Sequence, residues 1–540
     1  MSTDALPLPD LDTLPQDPAT LRQLVLQLLA ALQGKDAELS KLQQQLDLLL
    51  RRLYGRSSEK FDPLQKLLFD RSPEEPEIPA AVSEPQPSEV AATNGKKPGH
   101  GRRPKPDHLK RVDAVHDLTD VEKQLLAGDG ELVLIGEQIT EQYEWEPSCL
   151  YIVRHIQKKY ARQPQLLESG AAPQEKNIIT APKPPAPIPG GNAGPGLIAQ
   201  VLVSRYMDHL PFHRQERILD RHGWPFSRQT TDDWALDVAE RWFSPLVALM
   251  LVQTLGSAAL NTDDTPVKVR DARGKRQYEG RFWNYVGDDL HPFTVFRFTP
   301  NRKRDGPDGP ADVLANYAGF VQADAYGGYD AIYLGSQGRI TEVACGAHAR
   351  RKFVESQRAD RARAEIALAH IGQLYGIEKD LRARCEKEWS ELPRDERHQQ
   401  ILEVRQSRAL PVLQQFGAWL EAEAPRVLPK HPIREALDYS RNQWIALNRY
   451  AQHGCLTIDN NAAERALRGI ALGRRNWMFV GSDRGGRAAA IHFSLIASCL
   501  RNGIEPYAYL RDLLINLPAL GPAPTADQLR AFLPIRQQPA

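Results

Sequence analysis

Two adjacent aspartates, Asp263 and Asp264, stand in the stretch NTDDTPVKV, where apolar residues on both sides predict a strand. Two like charges side by side are costly to bury unless a cation lies beside them. A metal ion would supply that charge, and its other ligands would come from elsewhere in the chain. Strand alternation does not choose between the two aspartates, because Asp263 shares parity with Val267 and Asp264 shares it with Leu260.

Two further carboxylates stand at positions where they could complete such a site. Asp324 follows the apolar run in FVQADAYGGYD, and Glu464 falls in the first turn of the helix predicted in LTIDNNAAERALRGIALGRRNW, which Asn460 or Asn461 would cap. Oxygen ligands from separate elements suit Mg²⁺ or Mn²⁺, and two such ions about 4 Å apart can promote an in-line phosphoryl displacement. Each acid alone is more often a cap, a turn former or an ion-pair partner, but the three together favour a metal site.

Arginines crowd the segment that carries Glu464. Six lie within a short span: Arg465, Arg468, Arg474, Arg475, Arg484 and Arg487. Guanidinium groups beside a carboxylate site suit a polyanionic substrate, because they pair with phosphate oxygens. We expect Arg468, Arg474 and Arg475 to contact phosphates of such a substrate near the site.

Composition limits the class of protein. At 540 residues the chain is too long for one core, and its 41% hydrophobic and 25% charged content is typical of globular proteins. The net charge of +1 neither demands nor excludes nucleic acid. Five widely spaced cysteines without a CxxC pair favour a reducing compartment. The acidic N-terminus is not a signal peptide, and the uncharged stretch 242–260 is interpreted as a buried helix running into a core strand rather than a membrane span.

Heptads near the N-terminus predict self-assembly. From Leu21 to Leu53, residues alternately four and three apart are apolar, except for Lys35. This pattern predicts a coiled coil over 19–54, preceded by a disordered tail over 1–18, and Lys35 would fix register or strand number. A long amphipathic helix lying on its own domain is the alternative. We expect at least a homodimer.

A basic arm ends the disordered linker predicted over 55–111. The arm, KKPGHGRRPKPDHLKR, contains seven Lys or Arg and one Asp. Because Pro and Gly keep it extended, Arg102, Arg103 and Lys105 could enter a narrow minor groove of DNA. A solvated basic linker is equally consistent with this stretch alone.

Alternating apolar and polar residues predict a β-rich module over 112–165, followed by a Pro-rich linker over 166–192. The segment 193–245 is helical in pattern, with a turn at HGWP. From residue 257 the pattern changes to four strands, which together with later helices indicate a mixed α/β core. The chain ends in a Pro-rich tail over 516–540.

The helical segment could bind DNA. Ser227 would cap a helix beginning RQTTDDW. A helix, a turn and a capped helix fit a helix-turn-helix motif that presents Arg228, Gln229 and Thr230 to the major groove. A structural helical hairpin is the alternative.

Four segments resemble the signatures of insertion sequence 66 family transposases, and they read NTDDTPVKV, QADAYGGYD, CGAHARRKF and IDNNAAERALRGIALGRRNWMFVGSDRGGRAAAI. The heptads, LYGRSSEK, PGHGRRP and VLVSRYMDHLPFHRQE match that family too. The resemblance implies a multidomain α/β protein, a DDE-type transposase whose RNase H-like core spans 246–345 and 441–515. A helical insertion over 346–440 would split that core.

The resemblance also implies which residues carry the chemistry. Asp263, Asp324 and Glu464 would be the catalytic triad that holds two Mg²⁺ or Mn²⁺ ions, and only the resemblance selects Asp263 over Asp264. Asp264 and Asn461 would orient the ligands. The implied activity is binding of the terminal inverted repeats, strand cleavage and transfer of the 3′-OH to target DNA. Companion proteins of the element and a location on the bacterial nucleoid, in the cytoplasm and without a membrane, are also implied.

Two features depart from the family pattern. The family usually carries a four-cysteine zinc module, whereas this chain has Leu125, Gly128, Arg162 and Gln165 about where those cysteines would stand. We therefore expect this module to hold no zinc. The first site usually contains Asp-Glu-Thr-Pro, and here Asp264 replaces the Glu. An inactive DNA-binding regulator and a metal-dependent nuclease without strand transfer are the alternative functions.

Overall fold

The computed structural model describes residues 110–127, 132–146, 149–162, 178–221, 226–270, 277–324 and 326–535, together with residues 17 and 35. The predicted coiled coil, apart from Lys35, lies outside the described residues. So does the part of the basic arm that contains Arg102, Arg103 and Lys105.

A four-stranded sheet forms the first described unit. Its elements are β1 (Arg111–His116), α1 (Asp120–Ala127), β2 (Leu132–Glu146), β3 (Cys149–Arg162) and β4 (Ile178–Thr180). Strand β3 pairs antiparallel with β2 and β4 and parallel with β1. The two long strands, β2 and β3, lie where the alternation of apolar and polar residues predicts them.

Four α-helices follow in the described chain: α2 (Pro195–Tyr206), α3 (Phe212–Asp220), α4 (Arg228–Val238) and α5 (Ser244–Thr254), the last two joined by a π-helical segment, Ala239–Phe243. The Ser227 hydroxyl accepts a hydrogen bond from the backbone N–H of Thr230, so the predicted cap of α4 is confirmed. Helix α5 runs into the first strand of the second sheet, as the interpretation of the uncharged stretch 242–260 requires. Among the described residues, no helix is long and apolar enough to cross a membrane.

The second sheet is mixed and has five strands. Its segment contains β5 (Ala259–Arg270), β6 (Gln277–Val286), β7 (Thr294–Thr299), α6 (Pro310–Val313), β8 (Gly319–Gln322), α7 (Asp330–Gly335) and β9 (Ile340–Val343). The spatial order is β7-β6-β5-β8-β9. The first three strands are antiparallel, whereas β8 runs parallel to both β5 and β9. The parallel pairs are joined through helices, because parallel neighbours need a crossover connection.

Helices account for most of the remaining chain. They are α8 (Gly346–Ser356), α9 (Arg361–Lys387), α10 (Arg394–Val404), α11 (Leu410–Glu423), α12 (Pro432–Asn442), α13 (Trp444–Asn448), α14 (Asn461–Trp477), α15 (Asp483–Arg501), α16 (Pro506–Asn516) and α17 (Ala526–Arg530). Together with the two mixed sheets they confirm the multidomain α/β class in its general form.

Helix α15 covers β7, the edge strand of the five-stranded sheet. Ser494 and Ser498 accept hydrogen bonds from the backbone N–H groups of Phe296 and Thr294, at 2.8 and 3.0 Å. A Cβ atom at Gly486 would lie 2.7 Å from the Phe298 ring, so glycine permits the close approach of helix and strand. The helix thereby satisfies backbone groups that an edge strand otherwise leaves open.

Apolar clusters cover both faces of the five-stranded sheet. On one face Phe282 and Phe298 pack with Phe493 of α15. On the other face Trp283 packs with Tyr329, beside Val321 of β8. The sheet is therefore a rigid platform, and the aspartates of β5 are held by a buried strand.

Candidate metal centre

Three aspartates converge on the five-stranded sheet. Asp263 and Asp264 lie on β5, and Asp324 lies two residues beyond the end of β8, which pairs with β5 through Asn261 and Gln322. Carboxylate oxygens of the three aspartates lie within 4.8 Å of one another. The structure therefore brings together Asp263 and Asp324, which the sequence predicts to share a site, and adds Asp264.

The charge of Asp264 is balanced by the protein itself. Its carboxylate, only 2% exposed, accepts a hydrogen bond of 3.0 Å from Arg281 and two bonds of 3.1 and 2.9 Å from Arg302. Arg302 also lies 3.4 Å from Asp324, and its guanidinium stacks 4.0 Å from the centre of the Tyr326 ring. Asp264 thus holds two arginines in place, and one of them reaches a second aspartate.

Asp263 has different surroundings. Within the described residues it forms no ion pair with Lys or Arg, and its carboxylate accepts the backbone N–H of Asp264 at 2.7 Å. Burial raises its pKa well above the ordinary value of an aspartate, and the neighbouring charges of Asp324 and Asp264 raise it further. A divalent cation would remove this penalty, because it favours the ionised carboxylate.

Two buried asparagines fasten the start of α14 to β5. The side chain of Asn284, on β6, accepts the N–H of Asp263 at 2.9 Å and donates to the carbonyl of Ala463 at 2.7 Å. The amide of Asn460 donates to the carbonyl of Thr262 at 2.8 Å. Hydrogen bonds from two fully buried side chains therefore hold the backbone next to Asp263 and next to Glu464.

The predicted side-chain cap of α14 is wrong. Asn460 occupies the N-cap position, but its side chain bonds to β5 and makes no capping hydrogen bond. Asn461 is the first residue of the helix, and both its N–H and its amide donate to Asp459. Asn461 is thus hydrogen-bonded to Asp459. Among the described contacts it makes none with Asp263, Asp264 or Asp324.

Glu464 lies in the first turn of α14, as predicted, but outside the group of three aspartates. Its Oε1 atom lies 3.8 Å from His348 Nδ1, and it forms a separate group with His348 and Cys345 whose donor atoms lie within 4.8 Å of one another. The charge of Glu464 still contributes to the raised pKa of Asp263. Glu464 is therefore a neighbour of the aspartates that faces a second set of donors.

The residues predicted to bind DNA occupy different environments. Arg468 and Arg475 are exposed on α14, whereas Arg474 donates a hydrogen bond to the carbonyl of Pro266. At the start of α4, Arg228 and Gln229 are exposed, Thr230 is half-buried, and Gln229 bonds to Asp233 on the same helix.

Four further residues enter the site without having been predicted to do so: Asn284, Arg281, Arg302 and His348. His348 belongs to CGAHARRKF, one of the segments that resemble the family, but the sequence alone gives it no role. Asn284 and Arg302 could be found only from the register of β5 against β6 and the path of the loop after β7.

The mixed sheet and its carboxylate cluster define an α/β protein with a candidate divalent-metal centre. The model described as "Transposase IS66 family" matches residues 190–488, which is more than half of the chain. "Transposase C of IS166 homeodomain" matches residues 41–113, and "IS66 C-terminal element" matches residues 494–535. The chain belongs to the IS66 family of transposases.

Similar proteins occur in Sinorhizobium fredii. The uncharacterised protein y4hP is 29% identical over 497 residues, which cover 88% of this chain and 85% of the relative. The uncharacterised protein y4jD is 27% identical over 541 residues, which cover 97% of each. Each of these two likenesses therefore extends over most of this chain and most of the relative.

Proposed function

We propose that the protein binds the terminal inverted repeats of its insertion sequence and catalyses metal-dependent strand cleavage, followed by transfer of the 3′-OH to target DNA. The observation that carries this proposal is the convergence of Asp263 and Asp324, with Asp263 half-buried and, within the described part of the chain, in no ion pair with Lys or Arg. Membership of a transposase family gives this cluster its substrate class, which is DNA.

The catalytic domain is of the RNase H-like type. In support, three antiparallel strands lie beside two parallel ones in the order β7-β6-β5-β8-β9. We assign residues 246–345 and 441–515 to this domain and residues 346–440 to a helical insertion. The chain would leave the catalytic domain after residue 345 and return to it at residue 441. The hydrogen bonds of Asn284 and Asn460 would hold α14 beside β5 across this interruption.

The donor set fits Mg²⁺ or Mn²⁺, since it consists of carboxylate oxygens from separate elements. Asp263 and Asp324 would hold the ions, and Glu464 would complete the site. When bound, the ions supply the positive charge that activates a hydroxyl nucleophile and stabilises the leaving oxygen. Asp264 is assigned a different role, which is to hold Arg281 and Arg302.

The remaining residues would bind and orient the DNA. Arg302, held on Asp264 and stacked on Tyr326, presents a guanidinium beside the cluster for a phosphate oxygen. Arg468 and Arg475 are exposed on the helix that carries Glu464 and would contact the flanking backbone. Arg474 donates a hydrogen bond to the carbonyl of Pro266. Its effect on DNA binding would therefore be indirect, through the position of that residue.

End recognition is assigned to the segment 193–245 as a helix-turn-helix, with Arg228, Gln229 and Thr230 at the start of its second helix. The basic arm would add contacts in the minor groove. Pairing of the two element ends is assigned to the coiled coil over residues 19–54, with companion proteins of the element as further partners.

An assay with element ends, Mg²⁺ and a target plasmid tests the proposal. Uncut ends should be cleaved, and pre-cleaved ends should be joined to the plasmid. Asp263→Ala, Asp324→Ala and Glu464→Ala should each abolish both steps while leaving end binding intact. A control variant, Glu365→Ala, removes an exposed carboxylate from α9 and should behave like the parent chain.

The outcomes separate three functions. Joined product supports a transposase, cutting without joining supports a nuclease, and binding without either supports a regulator. Near-normal joining by any one of the three alanine variants would show that the residue is wrongly assigned.

A further inference from the structure

Cys345, His348 and Glu464 form a second donor group beside the aspartates. Cys345 precedes α8, His348 lies three residues later on the same helix, and Glu464 lies in the first turn of α14. Donor atoms of the three side chains lie within 4.8 Å of one another. Because their donor atoms lie this close together, the thiol of Cys345 and the imidazole of His348 can serve one ion.

The chemistry of this group differs from that of the aspartates. It combines one sulfur, one nitrogen and one carboxylate oxygen, whereas the neighbouring set contains oxygen alone. Thiolate and imidazole ligands select Zn²⁺ and related transition metals and are poor ligands for Mg²⁺. The two groups would therefore take different ions, and Glu464 lies between them.

Backbone hydrogen bonds around this donor group hold it in place. The backbone N–H of Asn460 donates to Cys345 Sγ at 3.2 Å, and the N–H of Gly346 donates to the carbonyl of Ile458 at 2.9 Å. Bonds of this kind orient metal ligands and stabilise a thiolate. The loop that precedes α14 is thereby fastened to the start of α8, and the sulfur is fixed relative to the first turn that carries Glu464.

An ion pair between His348 and Glu464 does not account for the arrangement. Their atoms are 3.8 Å apart, which is beyond hydrogen-bond distance, and Glu464 Oε1 is buried without a hydrogen bond among the described residues. A buried carboxylate oxygen left in that state is costly. Tetrahedral Zn²⁺ holds its ligand atoms roughly 3.3–3.8 Å apart. The 3.8 Å between His348 Nδ1 and Glu464 Oε1 lies at the upper end of that range.

We infer that Cys345, His348 and Glu464 form a binding site for Zn²⁺ or a related transition metal, with an exchangeable fourth ligand. The site lies outside the β-rich module, in which the zinc cysteines of the family would stand. An ion bound here holds Glu464 away from Asp263 and Asp324. Zn²⁺ would then inhibit strand cleavage, and this consequence alone rests on the proposed function.

Cobalt spectroscopy tests the site without any activity measurement. Full-length protein, purified with reductant and freed of metal, is titrated with Co²⁺. We expect one equivalent to give a thiolate-to-cobalt charge-transfer band and the visible bands of a tetrahedral ion, and Zn²⁺ to displace it. Cys345→Ser should remove the charge-transfer band, and His348→Gln should weaken Co²⁺ binding roughly tenfold or more.

The matched control is Cys455→Ser, which changes a half-buried cysteine outside the group and should keep the full spectrum. Circular dichroism of each metal-free variant verifies the fold, and His348→Gln provides the test if Cys345→Ser does not fold. Absence of the charge-transfer band in the parent chain, or its persistence in Cys345→Ser, would overturn the site.

Cleavage assays then test the consequence separately. With Mg²⁺ present, added Zn²⁺ should slow the parent chain and should slow Cys345→Ser less, each relative to its own zinc-free rate. Equal inhibition of both would refute the link to Glu464. If no cleavage is found under any condition, the proposed function fails, while the cobalt result still decides whether the site exists.

Discussion

Asn284 joins Asp263 to the helix that carries Glu464. It lies opposite Asp263 in the antiparallel pair of β5 and β6, accepts the N–H of Asp263, and donates to the carbonyl of Ala463, the residue before Glu464. A single buried amide therefore sets the distance between two candidate ligand-bearing backbones that are far apart in sequence. Asn284 is fully buried, so a hydrogen bond lost there is not replaced by one to water.

Asn284→Ala should impair both stability and cleavage. It leaves the N–H of Asp263 and the carbonyl of Ala463 without their buried partner, at a cost of about 1–3 kcal/mol for each unsatisfied group. Urea unfolding and Mg²⁺-dependent cleavage, both at a temperature at which the variant is folded, provide the measurements. Asn448→Ala is the control, because among the described contacts the Asn448 side chain donates to the carbonyl of Trp444, within its own short helix. Equal losses in the two variants would mean that Asn284 has no special role.

The sequence indicates the three acidic positions because each has a local signature. Asp263 and Asp324 follow apolar runs, and Glu464 follows a helix start. Asn284 has no such signature, since its role depends on strand register rather than on its neighbours in sequence. The side chain of Asn460 turns to β5 instead of capping α14, because a tertiary hydrogen bond replaces the local one.

The sequence also does not show which of the two adjacent aspartates forms ion pairs with arginine side chains. Alternation leaves Asp263 and Asp264 equivalent, and the difference arises from Arg281 on β6 and Arg302 in the loop after β7. Long-range partners of this kind are set by how the strands pair and by where the loops return. The strands themselves follow from alternation, whereas the charge balance between their side chains does not.

Asp263→Asn should stabilise the metal-free protein at neutral pH. Burial and the charges of Asp324 and Asp264 raise the pKa of Asp263, so the native state keeps a proton that the unfolded chain loses above about pH 4. The contribution of this group is thus complete below that pH and is lost as the pH rises through the native pKa. Melting temperatures from pH 4 to 8 should fall less steeply in the variant than in the parent chain.

The same variant should lose its response to divalent metal. Mg²⁺ should raise the melting temperature of the parent chain and have little effect on Asp263→Asn, because the asparagine cannot ionise. Asp264→Asn is the control of opposite sign: it removes the partner of two partly buried arginines and should destabilise the protein. A parent chain whose stability rises over this pH range, with the variant unchanged, would contradict the assignment of Asp263.

Arg302→Ala should slow strand cleavage without abolishing metal binding. Its guanidinium lies against Asp264 and Asp324 and would contact a phosphate, so we expect a loss of about 10²-fold in rate at saturating DNA. Mg²⁺ should still raise the melting temperature, since the aspartates remain. Arg304→Ala, two residues away in the same loop and paired with Asp305, should cleave normally. If both variants slowed cleavage equally, the loss of rate would reflect the loss of a positive charge in this loop and not a specific contact of Arg302.

Arg228→Ala and Gln229→Ala should weaken recognition of the element ends. Both side chains are exposed at the start of α4, where a recognition helix would present them to base edges, and each good contact is worth about 1–3 kcal/mol. Fluorescence anisotropy with the terminal repeat and with a scrambled duplex separates specific from general binding. Arg361→Ala, whose side chain is 82% exposed on α9, is the charge-matched control for Arg228→Ala. We expect a selective loss for the terminal repeat. An equal loss for both duplexes would identify these residues as backbone contacts, and no loss would leave α4 with a purely structural role.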